Sequence, residues 1–441
     1  MARLFGTDGV RGVAGEELTR ELAVALGRAA VRKLGPKVLI GRDTRVSGPM
    51  LEQALVDGIC AEGGSPVLAG VIPTPAIALL TRQDAFDCGI VISASHNPPE
   101  YNGIKFFSGQ GFKLPDATED EMQAVVEELL GQDVPAAGEA AVMEDATERY
   151  VAHAVDVLRA RGLDLSGITI ALDCGHGAAC KTTPMALEQL GATIRAINTD
   201  PDGSVINVGC GSTHLGPVTE LLEQTGADIA LAHDGDADRL LAVAPGGTEC
   251  DGDFIISICA LDMKQRGCLP ANTVVGTVMA NLGFMQAMER EGIQVISTKV
   301  GDRYVLESMR ELGAGIGGEQ SGHIIFLEHN TTGDGLMTAL ALLGVMARTG
   351  KTLLQLMEVM RKLPQQLVNV RVTDKTLYAG NAAIASAQQQ VERELEGTGR
   401  LLVRPSGTEP LIRVMVEAQT QEQADALANK LASVVEQEIG A

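Results

Sequence analysis

Short apolar runs alternate with stretches of helical periodicity along most of the chain. Lys37-Val-Leu-Ile-Gly41 reads as a buried strand, and Gly48 to Ile59 follows with apolar residues at helical spacing. Asp87-Cys-Gly-Ile-Val-Ile-Ser93, Ile168 to Asp173, Asp228 to Ala232 and Thr273 to Thr277 repeat the strand signal, with helical segments between them. Strands that are apolar on both faces and separated by helices predict parallel or mixed sheets covered on both sides. From about Gln366 the pattern changes. Gln366-Leu-Val-Asn-Val-Arg-Val372 and Leu411-Ile-Arg-Val-Met-Val416 alternate as half-buried strands, and Glu422 to Ile439 closes the chain as an amphipathic helix. This last part reads as a small α+β domain.

A chain of 441 residues is too long for one core. Breaks in the pattern fall at the acidic, Ala/Gly-rich stretch from Gly131 to Asp145, at the turn beginning Pro245-Gly-Gly, and near Lys362-Leu-Pro364. They divide the chain into 1–147, 148–247, 248–362 and 363–441. No repeat is visible in the residues themselves. No apolar run approaches the length of a bilayer span, and the first residues carry no signal-peptide core. The eight cysteines are scattered, mostly in apolar surroundings, which fits reduced thiols in the cytoplasm. Cys174, His176 and Cys180 lie close in sequence, but without a C-x-x-C pair they read as structural. With 57 acidic residues against 35 basic ones the net charge is −22, so neither nucleic acid nor an anionic membrane is an expected partner. An anionic small substrate then needs a local cationic cluster.

Four motifs carry candidate chemistry. In His233-Asp-Gly-Asp-Ala-Asp-Arg239 three carboxylates alternate directly after an apolar strand. In extended chain Asp234, Asp236 and Asp238 would point the same way, and the repulsion between them calls for a hard cation such as Mg²⁺. An EF-hand loop also opens with alternating acids, but its later Gly and Glu are replaced here by Leu240-Leu-Ala-Val. The segment Arg404-Pro-Ser-Gly-Thr-Glu-Pro410, with Arg413, offers guanidiniums, the Ser406 and Thr408 hydroxyls and the Gly407 amide as a phosphate nest. Gly317-Gly-Glu-Gln-Ser-Gly-His323 reads as a loop with hydrogen-bonding groups suited to a polyol, namely Glu319, Ser321 and His323. It overlaps a G-x-G-x-x-G string that opens no βαβ unit, so a dinucleotide site is rejected.

The fourth motif, Val91-Ile-Ser-Ala-Ser-His-Asn-Pro-Pro-Glu100, suggests a hydrolase at first glance. The G-x-S-x-G elbow is missing, and adjacent Ser95 and His96 would point apart on extended chain. A serine near a magnesium site can instead carry a phosphoryl group. Lys105 lies close enough in sequence to bind phosphate or move a proton. Phe5-Gly-Thr-Asp-Gly-Val-Arg-Gly12 contributes Arg11, and Gly41-Arg-Asp-Thr-Arg45 adds two arginines that could simply cap a strand.

Taken together and in this order, the four motifs resemble the α-D-phosphohexomutase superfamily across essentially the whole chain. The resemblance implies four domains around a central cleft: three related α/β mixed-sheet units and a C-terminal α+β domain. It implies that Ser95 is the phosphoserine, with Ser93 part of the strand end that positions it. Asp234, Asp236 and Asp238 would bind one Mg²⁺ together with a phosphoserine oxygen. Glu319 and Ser321 would contact sugar hydroxyls, and Arg404, Ser406, Gly407, Thr408 and Arg413 would clamp a phosphate. Arg11, His96, Lys105 and Arg239 would lie near the transferring group, with Lys105 the leading proton carrier. The Phe5–Gly12 motif, Cys210-Gly-Ser-Thr-His214, Lys299-Val-Gly-Asp-Arg-Tyr304 and Gln320 resemble the branch acting on glucosamine phosphates. Expected partners are a phosphorylated amino sugar and a glucosamine or glucose 1,6-bisphosphate primer, with the protein a monomer or homodimer supplying UDP-N-acetylglucosamine and cell-wall synthesis. A mutase of broader glucose and mannose range, or a non-catalytic sugar-phosphate sensor, are the alternatives. Ala237 stands where relatives commonly have Gly, which matters only if φ is positive there.

Overall fold

The computed structural model describes residues 3–6, 8–406 and 409–441. The chain forms two compact bodies: Met1–Met279 with Ile293–Val359, and Ala280–Gly292 with Met360–Ala441.

The first body holds three sheets. The first contains β1 (Val10–Val13), β2 (Lys37–Arg42), β3 (Ser65–Val71), β4 (Cys88–Ile92), β5 (Tyr101–Ser108) and β6 (Ala141–Val142), in the order β1-β5-β4-β2-β3-β6. The second contains β7 (Thr169–Asp173), β8 (Thr193–Ile197), β9 (Ile229–His233), β10 (Leu240–Ala244) and β11 (Thr248–Cys250), in the order β11-β10-β9-β7-β8. The third contains β12 (Thr273–Thr277), β13 (Gln294–Thr298), β14 (Ile316–Gly318) and β15 (Ile324–Phe326), in the order β13-β12-β14-β15.

A common plan underlies all three. β2, β7 and β12 each pair in parallel on both sides, with β3 and β4, β8 and β9, and β13 and β14. The strands β4, β9 and β14 then each turn back into an antiparallel neighbour, β5, β10 and β15. The three connections at those hairpins are residues 93–100, 234–239 and 319–323, which are three of the four motifs singled out above. Strands β4, β9 and β10 are buried at every position, as central strands flanked by helices on both faces require. Around the first sheet, the helices Arg20–Lys33 and Gly48–Ala61 pack Leu26, Ala30, Leu51 and Leu55 against Ile40, Ile90 and Ile92.

Three segments sit differently from the sequence reading. Gly317 and Gly318 lie within β14, paired with Ile325 and Ile324, so the polyol loop is only the hairpin tip that follows. The turn at Pro245–Gly247 joins β10 to β11 within one sheet, and Ala141–Val142 adds an edge strand to the first sheet.

The second body contains β16 (Gln365–Arg371), β17 (Arg400–Pro405) and β18 (Leu411–Glu417), antiparallel in the order β16-β18-β17. The helices Ala382–Leu395 and Gln421–Ile439 cover one face, burying Val391, Leu427, Leu431 and Val435 against Ile412, Val414 and Val416. No helix among the described residues is long and apolar enough to cross a membrane.

Candidate active site

After β4 the chain leaves the sheet, and Ser95 adopts a left-handed φ of 52°. Its amide donates to Ser93 Oγ at 2.9 Å, and its hydroxyl donates to Asp234 Oδ2 at 2.6 Å. Because the backbone turns here, Ser95 Oγ lies 3.3 Å from His96 Nδ1. The expectation that the two side chains diverge fails for this reason: the chain is not extended at Ser95. Burial, reinforced by the Arg239 and Arg11 guanidiniums, pushes the His96 imidazole down to about 4, so it is neutral near pH 7.

The three aspartates converge, but not by strand alternation. β9 ends at His233, and residues 234–239 form a tight turn in which Ala237 takes φ 55°. One carboxylate oxygen from each of Asp234, Asp236 and Asp238 lies within 4.8 Å of the others, and all three residues are buried. Burial, then repulsion from Asp238 and Asp236, holds Asp234 well above the ordinary carboxylate range. Burial and Asp236 likewise raise Asp238. Asp236 runs the other way: burial opposes its charge, but Lys105 outweighs burial and pulls it down. The Asp236 and Asp238 Oδ1 atoms are buried without a hydrogen-bond partner. Repelling carboxylates with free lone pairs, all oxygen donors, are what a hard divalent cation relieves, so the donor set fits Mg²⁺. Gly235 allows the two loops to meet: a Cβ there would lie 2.6 Å from the Ser95 carbonyl oxygen.

Cations surround this centre. Lys105, on β5, places Nζ 2.7 Å from Asp236 Oδ2, 2.9 Å from Asp8 Oδ2 and 3.8 Å from Asp238 Oδ2. Burial opposes its charge, but the three carboxylates outweigh burial and raise its pKa, so it stays protonated. Arg11 pairs with Asp8. The Arg239 guanidinium reaches Asp238 at 3.8 Å, and its amide donates to Asp234 Oδ1 at 3.1 Å. The sequence reading passed over Asp8, Lys113 and Asp302 here, and named His323 only as a hydrogen-bonding group of the polyol loop. Lys113 bridges Asp8 and Asp302, and His323 Nε2 lies 3.3 Å from Asp302 and 3.8 Å from Asp238. Asp8 and Asp302 stand inside motifs already quoted, flanked by glycine, which was the available signal. Lys113 carried no motif.

The hairpin tip at 319–323 joins this cluster through the backbone. His323 bridges Arg239, and Leu240 N donates to Gly322 O at 3.1 Å. Glu319 is partly exposed and accepts from Gly301 N at 3.1 Å, while Ser321 is exposed. In the second body Arg404 and Arg413 are direct cross-strand partners on β17 and β18. Burial and then the facing Arg413 lower the Arg404 pKa, an arrangement that favours an anion. Ser406 Oγ accepts from Glu409 N at 3.3 Å, and Lys375 Nζ donates to Ser406 O at 2.7 Å. Gly407 and Thr408 of the same loop lie outside the described residues.

A buried serine facing a triad of aspartates, ringed by cations, on three hairpins of three like-built sheets, defines the class as a phosphohexomutase. Four family profiles match in chain order: phosphoglucomutase/phosphomannomutase alpha/beta/alpha domain I over residues 2–132, domain II over 148–247, domain III over 251–363, and the C-terminal domain over 367–434. The phosphoglucosamine mutase of Clostridium novyi is 50% identical over 453 residues, covering 100% of both chains. The chain belongs to the phosphoglucosamine mutase family, isomerases of the phosphohexomutase class. Among solved structures, a phosphoglucomutase/phosphomannomutase family protein from Burkholderia thailandensis is similar with TM-score 0.81 and 25% identity, covering 99% of this chain and 97% of that one. The N-acetylphosphoglucosamine mutase of Aspergillus fumigatus, solved with GlcNAc-6P and magnesium, shares the fold with TM-score 0.73 at 19% identity, covering 99% and 96%.

Proposed function

We propose that the protein interconverts glucosamine 6-phosphate and glucosamine 1-phosphate through a phosphorylated Ser95. The observation that carries this reading is the 2.6 Å contact of the Ser95 hydroxyl with Asp234, inside a buried carboxylate triad next to Lys105. The phosphoryl group on Ser95 Oγ passes to the free hydroxyl oxygen of the bound monophosphate. The serine P–O bond breaks, the sugar P–O bond forms, and the hydroxyl proton leaves. The resulting glucosamine 1,6-bisphosphate presents its other phosphate to Ser95, which takes it back with the opposite bond changes. Either this bisphosphate or glucose 1,6-bisphosphate would prime the serine.

Asp234, Asp236 and Asp238, with an oxygen on Ser95, would hold Mg²⁺, whose charge offsets that of the phosphoryl oxygens. Arg11, Lys105 and Arg239 stabilise the same negative charge. Lys105 was expected above to carry the proton. Three carboxylates keep its ammonium charged, so it cannot accept one, and we assign it to charge stabilisation instead. His96 is neutral, lies against Ser95 Oγ and offers a nitrogen lone pair for the proton. Glu319 and Ser321 are assigned to sugar hydroxyls. Arg404, Ser406 and Arg413, with Gly407 and Thr408, are assigned to a substrate phosphate. We place the enzyme in the cytoplasm, supplying glucosamine 1-phosphate toward UDP-N-acetylglucosamine and cell-wall synthesis.

Intact-mass and peptide mass spectrometry test the central step. A phosphoryl group on Ser95, absent from Ser95→Ala together with all mutase activity, is expected; an active enzyme never phosphorylated there overturns the reading. Turnover of glucosamine, glucose and mannose 6-phosphates with bisphosphate primer tests the substrate, and faster use of mannose 6-phosphate overturns that part. Chelation with EDTA is expected to abolish activity and lower the melting temperature, with Mg²⁺ restoring both. Asp238→Asn should weaken the melting response to Mg²⁺.

A further inference from the structure

We infer that Arg45 is a positioning residue for phosphoryl transfer, fixing Ser95 through a buried guanidinium cradle; the inference rests on the reading of Ser95 given above. Arg45 follows β2 and is fully buried. Each of its five guanidinium N–H groups has an acceptor. Nε donates to Asp43 Oδ2 at 2.9 Å, Nη1 to the carbonyls of Pro98 at 2.5 Å and Tyr101 at 2.8 Å, and Nη2 to those of Ser95 at 3.0 Å and Asn97 at 2.8 Å. Four of the five acceptors are backbone carbonyls of the loop after β4 and of Tyr101, where β5 begins, and one belongs to the serine itself.

The cradle also grips Ser95 from its amide side. Asp43 Oδ1 accepts from the Arg45 amide at 2.9 Å, which fixes the carboxylate. Asp43 Oδ2 accepts from Ser93 Oγ at 2.5 Å, and Ser93 Oγ accepts from Ser95 N at 2.9 Å. From the second sheet's side, Asn207 Nδ2 donates to the Ser95 and Asn97 carbonyls at 2.9 and 3.1 Å. The Ser95 carbonyl is therefore held by Arg45 and Asn207, and its amide by Ser93, whose hydroxyl is itself fixed on Asp43.

Such over-determination has a physical reason. Ser95 holds a left-handed φ of 52°, a conformation that costs a non-glycine residue about 1–2 kcal/mol. It persists only where the surroundings enforce it. That conformation aims the hydroxyl at Asp234, and in-line transfer tolerates little misplacement of the attacking or leaving oxygen. A lysine has three donors on one point and cannot serve five acceptors spread over a planar fork.

The test compares wild type with Arg45→Lys and with Ser93→Ala, a smaller change that removes the acceptor for the Ser95 amide. Both are assayed for kcat and KM with glucosamine 6-phosphate, for single-turnover phosphorylation of Ser95 by glucose 1,6-bisphosphate, and for folded fraction by circular dichroism. We expect KM within about twofold of wild type, and kcat and the phosphorylation rate falling together, by on the order of 10²-fold for Arg45→Lys and less for Ser93→Ala. Wild-type kcat per folded molecule in either variant overturns the inference, as does a rise in KM with kcat unchanged. If Arg45→Lys does not fold, Ser93→Ala decides alone by the same two outcomes. A wild-type enzyme that is never phosphorylated on Ser95 refutes the proposed function instead, so the two failures are distinguishable.

Discussion

Ala237 shows how one side chain records the cost of a site. It sits in the middle of the aspartate turn at φ 55°, buried, with its amide donating to Asp234 O at 3.1 Å and its carbonyl accepting from Gly335 N at 3.0 Å. The left-handed region costs a residue with a Cβ about 1–2 kcal/mol, whereas glycine enters it freely. Glycine's greater freedom in the unfolded chain takes back about 0.4–1 kcal/mol of that difference. Ala237→Gly should therefore stabilise the protein by about 1 kcal/mol, read as a higher urea midpoint at unchanged slope. A lower midpoint would mean that packing of the buried methyl outweighs the strain. Sequence alone stated the condition on φ but could not say whether it was met, because the three aspartates look the same on a strand and on a turn.

Individual elements are held together by clamps that cross between them. Arg28 and Arg32 are one turn apart on the helix Arg20–Lys33, and both reach Glu62, just beyond the helix Gly48–Ala61. Arg28 Nε contacts Glu62 Oε1 at 2.7 Å, and Arg32 Nε contacts Oε2 at 2.9 Å. Hydrogen bonding from Arg32 leads the forces that lower the Glu62 pKa, against a smaller cost of burial. A lowered folded pKa stabilises above the unfolded value, near 4.3 for Glu, and that gain disappears as pH falls through the folded value. Glu62→Gln should cost about 0.5–1 kcal/mol at pH 7 and converge on wild type as pH falls below the folded pKa, measured by urea unfolding across pH. A difference unchanged down to the most acidic pH at which the protein stays folded would assign the effect to packing. The strands were legible at this scale because burial on both faces leaves near-continuous apolar runs, as in Cys88–Ile92 and Ile229–His233. The loop conformations were not legible, since the left-handed turns at Ser95 and Ala237 are imposed by contacts from distant segments, such as Asn207 onto Ser95.

Across the whole molecule, one strand order recurs three times, and each time the functional loop fills the same hairpin. The repeat is invisible in the residues because only two features are shared: apolar strands, which many sequences satisfy, and a loop position, whose chemistry differs in each copy. The fourth part departs from this plan and draws in a segment from before the third sheet's β13. Glu417, at the end of β18 and fully buried, accepts from Leu282 N at 2.9 Å and from Asn281 Nδ2 at 3.3 Å. Arg400 contacts the same carboxylate at 3.1 Å and donates to Ala280 O at 2.8 Å. Asn281 in turn exchanges two hydrogen bonds with the Leu363 backbone, at 3.0 and 2.9 Å. Removing this carboxylate takes the ionic partner from Arg400, which keeps its bond to Ala280 O, and the acceptor from the Leu282 amide, a loss of about 2–3 kcal/mol. The damage should be local, because residues 280–292 belong to the compact body that Glu417 anchors. Hydrogen exchange on Glu417→Ala should show faster exchange at Leu282 and through the helix Leu282–Arg290, with β2 and β4 protected as in wild type. Unchanged exchange over residues 280–292 would show that apolar packing of Phe284 and Met288, both buried, holds that helix without the carboxylate.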